Sequence, residues 1–398
     1  MLLASPYEGL EIRRTEKLVY ARFLKPHLVL SSARCFGGLR DDLEYLCNHQ
    51  SSEGTDHHGR AALVLTDPQA YQSLILSPCG IPPERSALLG TAANMHLLAL
   101  QSLAFEELTI AAAVTGGAET NAARAGDPST GHEGPDGFKS LSLEAPDPAG
   151  PDSGTINIMV FINRPLTPGA MVRAVSLATE AKTCALQELG VNSRYSPLPA
   201  SGTGTDQIGL AALSLEGVKP LAGGGHHLKL GELIGRTVLA AVKEALARQN
   251  GMTPDRQCSV KILLERFHRR PDGRYRMTSR ELAGRISRYL PPETGRLLES
   301  NCRSIFHDPC TAAACAALVH VKDRFTWGIL PALVWPEVMG ALAGQLAAAV
   351  SGRLDRIGEY CRELAPRPEQ SSAEDFLNLA ARALALGLRD KWPSEEPA

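Results

Sequence analysis

The stretch GTINIMVFINRPLTPGAMVRA, beginning at Gly154, constrains this chain more than any other. Its residues alternate: Ile156, Ile158, Val160 and Ile162 share one face of a strand, and Asn157, Met159 and Phe161 share the other. Thr167 then has the character of an N-cap and Pro168 that of a first helical residue. The helix they start reaches Leu189 and stops at Gly190, a C-cap glycine.

Similar signals recur through the first half. LVYARFLKPHLVLSSA reads as two extended pieces, and LTIAAAVTGG (Leu108 to Gly117) as a buried strand ended by glycines. GGLRDDLEYLCNHQ reads as a helix, and TAANMHLLALQSLAFEEL as a longer one. The run GDPSTGHEGPDGFKSLSLEAPDPAGPDSG has the composition of a mobile surface loop. LKLGELIGRTVLAAVKEALARQ reads as a helix with an apolar stripe of Leu230, Ile234, Val238 and Val242; Gly231 and Gly235 allow another backbone to pack closely. These elements predict an α/β domain over residues 1–250, a layered helix–sheet sandwich with its glycine loops at one end. Residues 251–398 carry fewer strand signals and read as a mainly helical region. Capping boxes are expected at Thr278–Glu281 and Ser371–Glu374.

A chain of 398 residues is long enough for two such domains. Its formal net charge of −2 offers no basic surface, so nucleic acid is not an expected partner. The start, MLLASPYEGLEIRR, does not read as a secretory signal. The most apolar stretch, Gly328 to Val350, is interrupted by Pro331, Pro336, Glu337 and Gln345 and reads as a buried helix rather than a membrane span. Nine cysteines without paired spacing suggest, for a cytoplasmic enzyme, reduced and mostly buried thiols.

Chemistry concentrates where polar groups sit beside glycine: TGGAETNAARAGDP, GTIN, ATEAKT, SGTGTD and GGGHHLKLGELIG. In SGTGTD, an extended chain would turn Ser201, Thr203 and Thr205 to one side and Gly202, Gly204 and Asp206 to the other. Asp206 is then either a carboxylate facing a ligand or the cap of a glycine-rich turn. Lys182 falls on an apolar helix stripe, where a lysine snorkels to the rim or is held by a buried carboxylate. Glu180 is turned away from that stripe and reads as solvated. His226, which with His227 follows three glycines before a helix, is a candidate acid or base. Thr55 to Gly59, TDHHG, is similar in kind but reads as a loop. Cys302, His307, Cys310 and Cys315 have the spacing of neither a zinc ribbon nor a ferredoxin, and no metal site is expected.

Taken in order, TGGAETNAARAGDP, GTINIMVFINRPLTPGAMVRA, TEAKTCALQEL, GTGTDQIGLA and GGGHHLKLGELIG resemble the adenosylcobinamide amidohydrolase family over roughly residues 10–247. The N-terminal GGLRDDLEYLCNHQ is similar too. The resemblance implies a hydrolase of cobamide salvage. Water cleaves the amide joining aminopropanol to the corrin ring, giving adenosylcobyric acid and (R)-1-amino-2-propanol. It implies a corrinoid small molecule as the partner, with no cofactor beyond the cobalt the substrate carries. The sequence has no Asp-x-His-x-x-Gly motif, so no protein ligand to that cobalt is expected, and the interrupted apolar stretch gives no expectation of a membrane. Catalysis falls to Asp206, His226, Lys182, Thr203 and Thr205. Either Asp206 or His226 activates water, or Thr203 or Thr205 is the nucleophile, activated by Lys182 or His226. Gly116, Gly117, Asn121, Asp127, Asn157, Gly202, Gly204, Gly224 and Gly225 would line the substrate. The chain departs from the family in the long loop after Asp127, the doubled histidine and residues 252–398. Dimer contacts, partner binding or a second step of the same pathway are the roles open to that last region, which is expected to be dispensable for the hydrolysis.

Overall fold

Both faces of the strand Ile156–Ile162 are buried, and this organises the architecture around it. The structure, a computed structural model, describes residues 1–51, 63–64, 66–129, 131–135, 137–141 and 154–393. By contact the chain divides into two units. The first comprises Met1–Gly126, Pro146–Val191 and Ala200–Thr253; the second comprises Asp127–Ala145, Asn192–Pro199 and Pro254–Ala398.

In the first unit the strands of the two main sheets are β1 (Leu2–Ala4), β2 (Leu10–Arg14), β3 (Leu18–Phe23), β4 (His27–Ser31), β5 (Gly38–Arg40), β6 (Tyr45–Gln50), β7 (Ser86–Thr91), β8 (Ala99–Phe105), β9 (Leu108–Gly116), β10 (Ile156–Ile162) and β11 (Gln207–Leu213). One sheet has the order β1-β2-β3-β6-β7, and the other β5-β4-β11-β10-β9-β8. Only β6 with β7 and β10 with β11 pair in parallel. The sheets pack face to face: Met159, Phe161, Ala111, Ala113 and Ala211 of the six-stranded sheet meet Leu10, Ile12, Val19, Leu46 and Leu89 of the other. On its outer face, Ile156, Ile158, Val160 and Ile162 pack under α2 (Pro168–Glu188) and α3 (Lys229–Asn250). On the opposite outside, Leu18, Cys47 and Leu88 meet Tyr71 and Leu76 of α1 (Pro68–Leu76). The result is a helix–sheet–sheet–helix sandwich, the layered α/β class read from the sequence.

The signals around β10 act as their chemistry requires. Thr167 caps α2 by accepting from the Ala170 amide at 3.2 Å. Gly190, at φ 61°, ends it in the left-handed conformation glycine supplies. Gly231 admits the Gly225 carbonyl, which would lie 2.2 Å from an added Cβ, whereas Gly235 meets nothing within 4 Å.

Two expected helices are strands instead. In GGLRDDLEYLCNHQ, Gly38 has φ 79° and opens β5, and Tyr45–Gln50 is an inner strand paired on both edges. The leucines there match helical spacing, but sheet pairing on both sides overrides that local preference. In TAANMHLLALQSLAFEEL, Asn94 caps a short 3₁₀ turn, and Ala99–Phe105 forms a hairpin with β9 across the Glu106–Glu107 turn. Part of the glycine-rich run after Asp127 is a hairpin too, Gly131–Gly134 against Gly137–Ser140.

The second unit is mostly helical around its own core, which includes Leu282, Phe306, Trp335, Leu346 and Phe376. The Thr278–Glu281 capping box is present. The other lies one residue beyond its expected place, at Ser372–Asp375. Within this unit Arg194 pairs with Glu265 at 3.0 Å, and Arg266 with Asp323 at 2.7 Å. The apolar segment is helical at Trp335–Ser351. By length and composition Ala332–Ser351 could cross a membrane, yet half of that window is buried inside the unit.

Candidate active site

The segment SGTGTD does not stay extended. Gly202 and Thr203 pair with Ala122 and Ala123, after which the chain turns and β11 begins at Gln207. The turn carries Asp206 back onto Thr203. The Thr203 hydroxyl donates to Oδ1 of Asp206 at 2.5 Å, and the Thr203 amide donates to Oδ2 at 2.9 Å. Oδ1 also accepts from the Ile156 amide at 2.9 Å, and Oδ2 from Nζ of Lys182. Four donors thus fill the roughly four acceptor directions of one carboxylate. Of the two alternatives for Asp206, the turn cap is the one seen here, and the same carboxylate also holds a buried lysine.

Lys182 takes the second of its two expected fates. It lies on the buried face of α2, and its side chain and that of Asp206 are 11% and 13% exposed. Removing either partner of so enclosed a pair leaves a poorly solvated charge. Gly202 makes the contact sterically possible, because an added Cβ would lie 2.6 Å from Oδ2 of Asp206 and 2.9 Å from Nζ of Lys182. Beyond Asp206, Nζ has no hydrogen-bond acceptor among the described residues. Two of its N–H bonds therefore have no acceptor among the described residues.

Thr205 belongs to a neighbouring group. Its hydroxyl contacts that of Thr155 at 2.5 Å and donates to the Gly154 carbonyl at 3.2 Å. Asn121 donates to the same carbonyl at 2.8 Å, and its own carbonyl accepts from the Gly204 amide at 3.3 Å. Gly117 approaches the same place, since an added Cβ on Gly154 would be 2.5 Å from the Gly117 carbonyl. Gly116 packs on Ala245 and Leu246 of α3.

Other expected site residues go elsewhere. His226 is 69% exposed and pairs with Glu180 at 2.7 Å, so Glu180 has a partner. Glu180 and Lys182 are two residues apart on α2 and project from different sides. His226 has no hydrogen bond or ion pair with Asp206, Lys182 or Thr203 among the described residues. Gly224 and Gly225 lie beside Arg173, roughly 13 Å along α2 from Lys182 at 1.5 Å per residue. Asp127 is grouped with the second unit, where it accepts from the Ser193 hydroxyl at 2.6 Å. Asn157 is fully buried between the two sheets. Thr55–Gly59 lies outside the described residues. Among those described, no three His, Cys, Asp or Glu side chains group to hold a metal ion. The nine cysteines are free thiols, but only Cys47 and Cys315 are buried, not most of them as expected, because the others lie on partly or fully exposed faces of their elements.

Sequence reasoning missed Thr155 and the Ile156 amide as partners of this group. GTIN was singled out for its glycine, but only the parallel pairing of Asn157 with Gln207 brings Ile156 beside Asp206.

This arrangement unites a threonine hydroxyl, a carboxylate and a lysine with spare donors, which is a set able to attack a carbonyl and stabilise the charge that develops. The family model described as "Adenosylcobinamide amidohydrolase" matches residues 3–254. An uncharacterized protein of Methanocaldococcus jannaschii is 40% identical over 182 residues, covering 45% of this chain and 70% of that protein.

Proposed function

Because the chain belongs to the adenosylcobinamide amidohydrolase family, we propose that it hydrolyses the aminopropanol amide of adenosylcobinamide to adenosylcobyric acid and (R)-1-amino-2-propanol. The observation that carries the chemistry is the Asp206 carboxylate with the Thr203 hydroxyl on one oxygen and Lys182 on the other. Since its acceptor directions are filled, the hydroxyl best placed to lose a proton to Asp206 is that of Thr203, not a water.

In this reading Thr203 Oγ attacks the amide carbon as its proton passes to Asp206. The developing oxyanion takes hydrogen bonds from the spare N–H groups of Lys182. The C–N bond breaks as Asp206 returns the proton to the leaving nitrogen, which frees aminopropanol and leaves a threonine ester. Water then attacks the ester, giving the acid and restoring the Thr203 hydroxyl. The protein needs no cofactor of its own, and the corrin enters as substrate.

The test is rapid quenching during turnover, followed by mass spectrometry of the peptide that holds Thr203. A transient mass increase equal to the cobyric acyl group is the expected result, absent in Thr203→Ala. Product formation in Thr203→Ala at the wild-type rate would overturn the nucleophile. The reading also requires full activity after exhaustive chelation of divalent metals; its loss, with recovery on adding a metal back, would mean a metal-dependent hydrolase instead.

A further inference from the structure

Asn157 and Gln207 face each other across the parallel pair β10 and β11. Each directly follows a residue of the candidate site, Ile156 and Asp206. Strand alternation turns Asn157 away from the helices and towards the other sheet. There Nδ2 of Asn157 donates to the Gly90 carbonyl at 2.9 Å, while Oε1 of Gln207 accepts from the Gly90 amide at 2.7 Å. The two side chains therefore grip one residue of β7 through its carbonyl and its amide. Nδ2 of Asn157 also donates to Oδ1 of Asn48 at 2.8 Å, and Asn48 donates to the Thr115 hydroxyl at 2.8 Å. Asn48, Thr115 and Asn157 are at most 1% exposed.

This polar chain costs the fold something. Oδ1 of Asn157 is buried without a hydrogen-bond partner among the described residues. A pair of apolar side chains at these two positions would avoid that orphan but would take from the Gly90 carbonyl and amide the partners they have here. What the polar version adds is directional restraint on two strand ends, and those ends carry the Asp206 carboxylate and the Ile156 amide that binds it.

We propose that Asn157 and Gln207, gripping Gly90, are positioning residues that hold Asp206 against Thr203. The proposal rests on the reading of Thr203 and Asp206 as the reacting pair. Three variants of the full-length chain test it. Gln207→Met keeps the side-chain length and removes the acceptor, while Gln207→Glu keeps the acceptor. Gln207→Asn, one methylene short, removes the contact by another route. The first readout is amide hydrogen exchange, which does not depend on the substrate. In Gln207→Met and Gln207→Asn, exchange at Ile156 and Thr203 should quicken roughly tenfold or more while that at Val160 and Ala112 stays unchanged. The second is a kcat against KM split: kcat for adenosylcobinamide should fall by up to roughly 100-fold with KM unchanged, as for a small misplacement of reacting groups. Gln207→Glu should restore both. Wild-type exchange at Ile156 and Thr203 in Gln207→Met, or a uniform quickening across both sheets, would overturn the proposal. If the wild-type chain fails to hydrolyse adenosylcobinamide, the assigned reaction falls, and the exchange rates still decide whether the grip restrains Asp206.

Discussion

At the scale of single residues, the Lys182–Asp206 contact depends on the absence of one carbon atom. Gly202→Ala would place its Cβ against both partners, and Lys182, on the longer side chain, must withdraw. The expected outcome is a folded protein that binds the corrinoid but turns over roughly 10²–10³-fold more slowly, the usual loss when an oxyanion donor is removed. Turnover within threefold of wild type would contradict it. Lys182→Met suits the apolar face of α2 and leaves Asp206 three donors. It should fold but melt below the wild-type temperature, because the enclosed Asp206 loses its counter-charge, and it should lose activity; wild-type kcat would show that the charge has no part in the reaction. These residues were legible in the sequence for physical reasons. Alternating glycines beside a carboxylate leave room for a partner, and a lysine on an apolar stripe needs one. That the two needs answer each other was not legible, since 24 residues of helix and loop separate them.

At the scale of elements, helix ends were easier to read than strands. Caps are local: Thr167 and Pro168 started α2 where the sequence placed its start. Strand pairing is not local, and β6 and β8 were misread because their leucine spacing fits a helix until a partner strand arrives. The grip on Gly90 joins residues 67 and 117 positions apart, which no sequence window contains. The cap of the helix Pro309–Thr326 makes the local logic measurable. Asp308 accepts from the Thr311 hydroxyl at 2.7 Å and from the Thr311 amide at 2.8 Å. The Thr311 side-chain bond, then the Thr311 amide bond, hold its carboxyl below the ordinary aspartate range despite partial burial. A carboxyl lowered by folding stabilises the protein above its unfolded pKa, and the effect is lost as pH falls through the lowered folded value. Asp308→Ala should therefore cost about 1 kcal/mol at neutral pH and progressively less in acid, as followed by denaturant unfolding. An equal loss at every pH would contradict the charged cap.

At the scale of the whole molecule, Lys182, Thr203 and Asp206 all belong to the first unit, together with the partners that hold them. The second unit is not only the C-terminal tail, because Asn192–Pro199 is grouped with it. There Asn192 donates to the Ile262 carbonyl at 2.6 Å, and Arg194 is buried against Glu265. We propose that residues 254–398 are dispensable for the chemistry but not for stability. A fragment of residues 1–253 should keep kcat close to that of the full chain and melt at a lower temperature, with Arg194→Met restoring part of the loss. A fragment that folds and binds corrinoid yet has no turnover would mean that the C-terminal helices take part in the reaction. The most direct measurement of the central claim is made on the full-length chain: incubation with adenosylcobinamide, then mass spectrometry of both products. The account requires adenosylcobyric acid and free aminopropanol in equal amounts, both abolished in Asp206→Asn. Retention of intact adenosylcobinamide by a protein that binds it, with no aminopropanol released, would contradict hydrolysis and leave a corrinoid-binding protein.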